Sequence, residues 1–262
     1  MPFLRSFSIN ATRQQPFPYN VPAVRFAKDI ALDKQITILV GDNGSGKSTL
    51  LESIALHLDL PLMGGDIGMR EGFEAARTLQ PYLSIQQVRK PLQGFFFRAE
   101  DFSDFIYSLK RQRDRNNMYL EPLRGEVADA VINELNDGMN MALREMRRDY
   151  GENLLAFSHG EAYLKIIEEK ISDNGIYLLD EPEAALSPQK QLALISYILE
   201  MVKRRNTQFI IATHSPILMG IPEAQLYEIQ EEGIQPVEYQ ETEHYRITHS
   251  FLSNPGSYLR YL

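Results

Sequence analysis

The chain has no cysteine in its 262 residues. That excludes disulfides and thiolate metal sites, and it suits a reducing compartment. Long apolar runs are also missing, and no stretch has the length and hydrophobicity to cross a bilayer. The first residues, Met1-Pro2-Phe3-Leu4-Arg5-Ser6-Phe7, lack a continuous apolar core and are soon followed by Pro16, Pro18 and Pro22. No targeting segment is therefore expected, and a cytoplasmic location is. With no direct membrane insertion, any membrane-embedded partner has to be a separate chain. Internal repeats and low-complexity tracts are absent as well. Basic residues are outnumbered, 27 Lys and Arg against 35 Asp and Glu, for a net charge of −8. Bulk charge thus gives no sign of nucleic-acid binding, although it leaves room for a local basic patch.

What is present is an ordinary globular composition, with 44% apolar and 24% charged residues. Gln14 to Pro22 holds three prolines and reads as extended or looped. Gln35-Ile36-Thr37-Ile38-Leu39-Val40 reads as a buried strand, and Ser48 to Leu58 as a helix. From Pro61 to Pro91 the pattern is weak, with Gly64, Gly65, Gly68 and Gly72 marking loops. Gly94 to Phe97 and Ile176 to Leu179 read as buried strands, Pro188 to Arg205 as a helix, and Gln208 to Ala212 as a further strand. Strands alternating with helices predict an α/β fold with a mostly parallel sheet flanked by helices. Residues 98–157 look largely helical and are expected to be an insertion within a single domain spanning 1–262.

Between the first strand and helix lies Gly41-Asp42-Asn43-Gly44-Ser45-Gly46-Lys47-Ser48-Thr49, which matches the phosphate-loop pattern in full. Glycines let the backbone wrap an anion and point N–H groups at it, aided by the partial charge of the following helix. Lys47 supplies an ammonium for the terminal phosphates, and Ser48 a hydroxyl for Mg²⁺. Asp180 and Glu181 end the Ile176–Leu179 strand, where open α/β sheets bind ligands. Successive side chains on a strand point apart, so the two acids are suited to different roles. Asp180 suits Mg²⁺, and Glu181 suits the water that attacks a γ-phosphate. The alternative reading of the pair is a solvated helix start.

Phe157-Ser158-His159-Gly160-Glu161 and Ala212-Thr213-His214 follow the phosphate loop on either side of Asp180-Glu181-Pro182. This order, spanning Gly41 to His214, resembles that of the ABC-type P-loop ATPases. The stretch Asp180-Glu181-Pro182-Glu183-Ala184-Ala185-Leu186-Ser187-Pro188, with Gly94–Asp101 and Phe251–Pro255, is similar to small bacterial ATPases of the SMC- and RecF-like branch without coiled-coil arms.

The resemblance implies an ATP- and Mg²⁺-dependent ATP phosphohydrolase. It makes Glu181, His214 and Lys47 catalytic, His214 being the γ-phosphate switch. It puts Gly41, Asn43, Gly44, Ser45, Gly46, Lys47, Ser48 and Thr49 around the nucleotide. Ser158 and Gly160 match the signature loop that contacts ATP held by a second subunit, although His159 and Glu161 depart from the usual glycine and glutamine. Ser158-x-x-Glu161 also fits a capping box. Ser187 replaces the D-loop aspartate. The metal set is Ser48, Asp180 and Glu100, the last standing near the position of the Q-loop glutamine together with Arg98. Tyr19 and Phe26 are candidates for stacking on adenine. The implied action is ATP-dependent head-to-tail homodimerisation.

The role of that cycle has three readings: DNA repair or defence, the ATP-binding subunit of a transporter, or a switch that recruits a soluble protein. Lys110, Arg111, Arg113 and Arg115, with Arg144, Arg147 and Arg148, could meet DNA phosphates. A solvated helical face paired with Asp114, Glu145 and Asp149 is the plainer reading. His244 and His249 fit no standard metal-ligand spacing and read as surface residues.

Overall fold

The structure is a computed structural model that describes residues 2–11, 16–63, 73–101, 111, 114–115, 118–121, 164–165, 167–168 and 170–260. The chain forms two compact units, one made of Met1–Ala99 with Ile171–Leu262 and the other of Glu100–Lys170. Within the second unit, residues 118–120 are helical, and Leu120 and Ile167 are buried.

The first unit is built on a six-stranded sheet. Its strands are β3 (Ile36–Gly41), β5 (Gln93–Arg98), β6 (Gly175–Asp180), β7 (Gln208–Ala212), β8 (Gln225–Gln230) and β9 (Gly233–Pro236), in the order β5-β6-β7-β3-β8-β9. The first five run parallel, and β9 returns antiparallel to β8. Every residue of β3, β6 and β7 is buried. Strands covered on both faces read as unbroken apolar runs, and this is why they stand out in the sequence. Tyr177 occupies the core between Phe95 and Phe209, with ring centroids 4.9 and 5.4 Å away. Its hydroxyl donates to the Ser172 carbonyl and accepts from the Ser172 N–H, so its polar end is satisfied.

A second, antiparallel sheet joins β2 (Ile30–Ala31), β1 (Leu4–Ile9) and β4 (Leu83–Gln87). The buried amide of Gln208 fastens it to the larger sheet. Its Oε1 accepts from Phe3 N and Leu4 N at 2.8 and 2.9 Å, and its Nε2 donates to Leu4 O at 3.1 Å.

Helix α1 (Pro22–Arg25) begins on a proline at its first position. A proline there loses no intrahelical bond, so the proline-rich stretch ends in a short helix instead of continuing as a loop. Helix α2 (Lys47–His57) follows β3 and buries seven of its eleven residues. Helix α3 (Glu74–Leu79) precedes β4. Helix α4 (Pro188–Arg205) buries Gln191, Leu194, Ile198 and Met201, one face at three- and four-residue spacing. It ends on Lys203, Arg204 and Arg205, which suit the negative end of its dipole, and on Asn206 at φ 53°. Toward the C-terminal end of the first unit lie α5 (Pro216–Met219), α6 (Glu243–Ser253) and α7 (Pro255–Leu259).

This strand order decides where the site is. The carboxyl ends of β6, β7 and β3 lie side by side, and the register places Arg98, Asp180 and Ala212 in one row. Parallel sheets present ligands at this edge.

Candidate nucleotide site

β3 delivers Gly41 to the sheet edge, and α2 starts at Lys47 without a side-chain cap, so its first N–H groups have no intrahelical acceptor. Two glycines are needed for shape. A Cβ on Gly41 would lie 2.5 Å from Ile229 O on the neighbouring strand. Gly46 has φ +94°, and a Cβ there would sit 2.6 Å from Val21 Cγ2. The α1 segment is pressed against the loop at this point, with Ala23 N donating to Ser45 O at 2.8 Å. Lys47 is only 5% exposed. Its ammonium donates to Gly41 O at 2.7 Å and Asp42 O at 3.0 Å, and lies 3.5 Å from Ser45 Oγ. Burial pushes its pKa down, and Asp180, Glu181, Asp42 and Glu183 pull it back up. The charge is therefore held on the loop's own carbonyls, beside the place where phosphates would sit.

Asp180 is 2% exposed. Burial raises its pKa to about 7; the Ser48 hydroxyl bonded to it lowers it, Glu181 raises it, and Arg98 and Lys47 lower it. Its Oδ1 is buried without a hydrogen-bond partner. A hard oxygen left open beside the Ser48 hydroxyl is a donor set that fits Mg²⁺. Glu181 is different. Its side chain is 46% exposed, and its backbone is left-handed at φ 49°, ψ 48°. That is an uncommon conformation for a residue with a Cβ, and such residues gather at functional sites. It turns the second carboxylate away from the buried track of the first. Exposure thus separates the two acids: Asp180 is dry and reaches Ser48, while Glu181 reaches water.

The segment that carries His214 follows β7. His214 Nε2 lies 3.7 Å from Glu181 Oε1. Burial lowers the pKa of His214, Lys47 and His244 lower it further, and Glu181 and Asp42 oppose them. Glu183 holds the backbone here, accepting from His214 N at 2.7 Å, and its own burial raises its pKa. Gln191 bridges two loops, donating to Leu186 O at 3.1 Å and accepting from Ser215 Oγ at 2.5 Å. The exposed Ser187 turn is thereby tied to the segment after β7.

The fold thus brings Gly41 to Thr49, Asp180, Glu181 and His214 to one edge. Glu183 and Gln191 also serve this edge; the acid run around Glu183 was visible in the sequence, but its bond to a residue 31 positions away was not. Arg98, rather than a metal-binding glutamine, occupies the end of β5, and its guanidinium lies 2.8 Å from Glu52 Oε1. Glu100 is exposed and is the first residue of the second unit. Tyr19 packs edge-on to Tyr82 at 5.7 Å, and the Arg25 guanidinium lies 5.0 Å from the Phe26 ring. Ser158, His159, Gly160 and Glu161 lie outside the described residues, as do Lys110, Arg113, Arg144, Arg147 and Arg148; Arg111 and Arg115 are exposed.

The expectation that His244 is a surface residue is corrected. It is half-buried, with Nε2 3.1 Å from His214 Nδ1 and the rings 5.3 Å apart. His249 is exposed and stacks on Tyr245 at 5.3 Å. Among the described residues no group of three His, Cys, Asp or Glu has metal-site geometry, and no helix is long and apolar enough to cross a membrane.

Several known proteins are similar to this chain. The "Phosphate import ATP-binding protein PstB 2" of Streptococcus pneumoniae TIGR4 is 29% identical over 191 residues, 69% of this chain and 66% of that protein. Its Lactococcus lactis IL1403 counterpart is 27% identical over 190 residues, 69% of this chain and 65% of that one. The matched region spans just under two thirds of the length of these relatives. Among solved structures, cbiO1 of Clostridium perfringens, part of the ABC transporter complex cbiONQ, aligns with TM-score 0.46 at 15% identity, over 100% of both chains. The Smc head domain of Pyrococcus furiosus, bound to the C-terminal domain of ScpA, aligns with TM-score 0.46 at 12% identity, over 96% of this chain and 100% of that one. A family profile for an AAA domain, whose description also names a type IV toxin–antitoxin system, matches residues 36–114 and takes in the phosphate loop. The profile described as "AAA ATPase domain" matches residues 84–219, more than half of the chain, and takes in Asp180, Glu181 and His214. On that match the chain belongs to the AAA ATPase domain family, as a P-loop ATPase of the ABC/AAA type.

Proposed function

We propose that two copies of this chain bind two molecules of Mg²⁺–ATP head to tail and separate after hydrolysis. One observation carries the reading: Lys47, Asp180, Glu181 and His214 share one sheet edge, with the dry and wet carboxylates pointing to different tasks. The loop N–H groups and Lys47 would hold the β- and γ-phosphates. Ser48 and Asp180 would hold Mg²⁺, with Glu100 a further candidate by its place in the sequence, and the ion would offset phosphate charge. Glu181 would take the proton of the attacking water, giving ADP and phosphate. His214 would meet the γ-phosphate. Ser158 and Gly160 of the second copy would cover that phosphate, which makes the dimer depend on it.

Replacing Glu181 by Gln tests this directly. Hydrolysis should fall by about a hundredfold or more, the range of a lost general base. The variant should form a stable dimer with ATP in light scattering, and a variant that stays monomeric at saturating ATP refutes the sandwich.

For the role of the cycle we favour DNA repair or defence, within the SMC- and RecF-like branch. Its support is the run from Asp180 to Pro188, with Ser187 in place of aspartate. The similarity to phosphate-import ATP-binding proteins favours a second reading, a transporter subunit with a separate membrane chain. Salt-dependent, ATP-stimulated DNA binding would support the first. Co-purification with a multi-span membrane protein would support the second.

A further inference from the structure

His244 stands in the first turn of α6, 30 residues from His214 in sequence, yet the two rings meet. Two contacts hold its turn in place. Thr242 Oγ accepts from Tyr245 N at 3.3 Å, and Glu243 N donates to Glu228 Oε1 at 3.2 Å. Glu228 belongs to β8 and is 8% exposed, so α6 is docked on the sheet at this point. His244 Nε2 then lies 3.1 Å from His214 Nδ1. The outer nitrogens of the pair, His214 Nε2 and His244 Nδ1, are buried without hydrogen-bond partners.

Two neutral imidazoles joined through one nitrogen each have only two arrangements. If His214 donates from Nδ1, its Nε2 carries a lone pair. A γ-phosphate oxygen is also only an acceptor, so the two would repel. If His244 donates from Nε2, His214 accepts at Nδ1 and carries its proton on Nε2, the nitrogen on the Glu181 side. Only the second arrangement gives the switch a donor for phosphate.

We propose that His244 is a positioning residue for this ATPase: its Nε2–H donates to His214 Nδ1 and fixes the tautomer that presents His214 Nε2–H to the γ-phosphate. The inference rests on the reading that His214 meets the γ-phosphate.

The test uses the whole chain. Long-range ¹⁵N–¹H correlation of histidine-labelled protein, with Mg²⁺ and a non-hydrolysable ATP analogue, should find His214 protonated on Nε2 and not on Nδ1. His244→Leu should lower kcat roughly tenfold, the scale of one neutral hydrogen bond, while KM for ATP stays within about twofold. His244→Gln, which keeps a donor near the Nε2 position, should restore kcat to within about threefold of the unmodified protein. Protonation of His214 on Nδ1 in the unmodified protein overturns the proposal whatever the variants do. So does wild-type turnover in His244→Leu when His214→Ala is inactive. Unchanged turnover in His214→Ala removes the sensor reading itself, and this proposal with it.

Discussion

The two halves of the site are made in opposite ways. The proposed phosphate half comes from nine consecutive residues, Gly41 to Thr49, and would use backbone N–H groups and one lysine. The switch half draws Asp180, Glu181, Glu183, His214 and His244 from three segments and uses side chains throughout, save one backbone bond. A contiguous loop carries its geometry with it, needing only a strand before it and a helix after it. A dispersed constellation exists only if β6, β7 and β3 are neighbours and α6 is docked. The first half should therefore decide whether nucleotide binds at all, and the second whether bound nucleotide is turned over.

The sharpest way to break this division is Lys47→Ala. The substitution removes the one buried cation of the loop; Gly41 O loses the ammonium, while Asp42 O keeps only the Ser45 N–H at 3.2 Å. A charge-assisted contact to phosphate is among the strongest available, so ATP affinity should fall by about a hundredfold or more. Titration calorimetry reads this directly. Affinity kept within a few-fold would move binding to the switch half and dissolve the contrast. Glu181→Gln should do the reverse, keeping affinity while stopping turnover.

The same contrast governs what the sequence made legible. β3, β6, β7, α2 and α4 could be read because fully buried strands are unbroken apolar runs and α4 has one clean buried face. The loop, Asp180 and Glu181 stood at the ends of those strands. Strand β1 was hidden because Arg5 and Ser6 interrupt it and its partners come from far along the chain. β8 was hidden because it carries the buried Glu228. Pro22 looked like a loop residue because proline opens helices as readily as it breaks them. His244 was read as a surface residue because its spacing from His249 fits no standard ligand set, and no periodicity marks a contact made by a single turn. Pro22 apart, what escaped is long-range pairing, which local pattern does not encode.

A second test separates the halves by pH. Asp180 has a pKa of about 7 in the fold against 3.8 as a free side chain. Between those values the folded state binds more protons than the unfolded one, so stability without nucleotide falls as pH rises. The contribution is level below about 4 and above about 7. Each pH unit between the two values corresponds to about 1.4 kcal/mol, for a total of a few kcal/mol. Glu183, whose pKa is also raised by burial, acts in the same direction. Asp180→Asn removes the first contribution and leaves the second. In urea unfolding without Mg²⁺ or ATP, its stability relative to the unmodified protein should increase between pH 4.5 and 8. A difference that does not vary with pH would mean that Asp180 is ionised throughout, and the open Oδ1 would then need a cation even without nucleotide.

The smallest expected effect distinguishes two glycines inside the phosphate half. Gly44 and Gly46 both have positive φ, +82° and +94°. Alanine at Gly44 would meet nothing within 4 Å, so Gly44→Ala should cost only the backbone penalty, about 1 kcal/mol. At Gly46 a Cβ meets Val21 Cγ2 at 2.6 Å and Ala23 Cβ at 3.1 Å. Gly46→Ala adds overpacking to the same penalty, for a total of roughly 2–4 kcal/mol. It should also push α1 off the loop and weaken ATP binding. Thermal melts of the two variants measure the difference, and ATP titration measures its consequence for binding. Equal losses would mean that the loop is shaped by its own backbone alone. A larger loss at Gly46 would mean that even the contiguous half leans on a tertiary contact, the α1 buttress, so that the two halves differ in how many long-range contacts they need rather than in whether they need any.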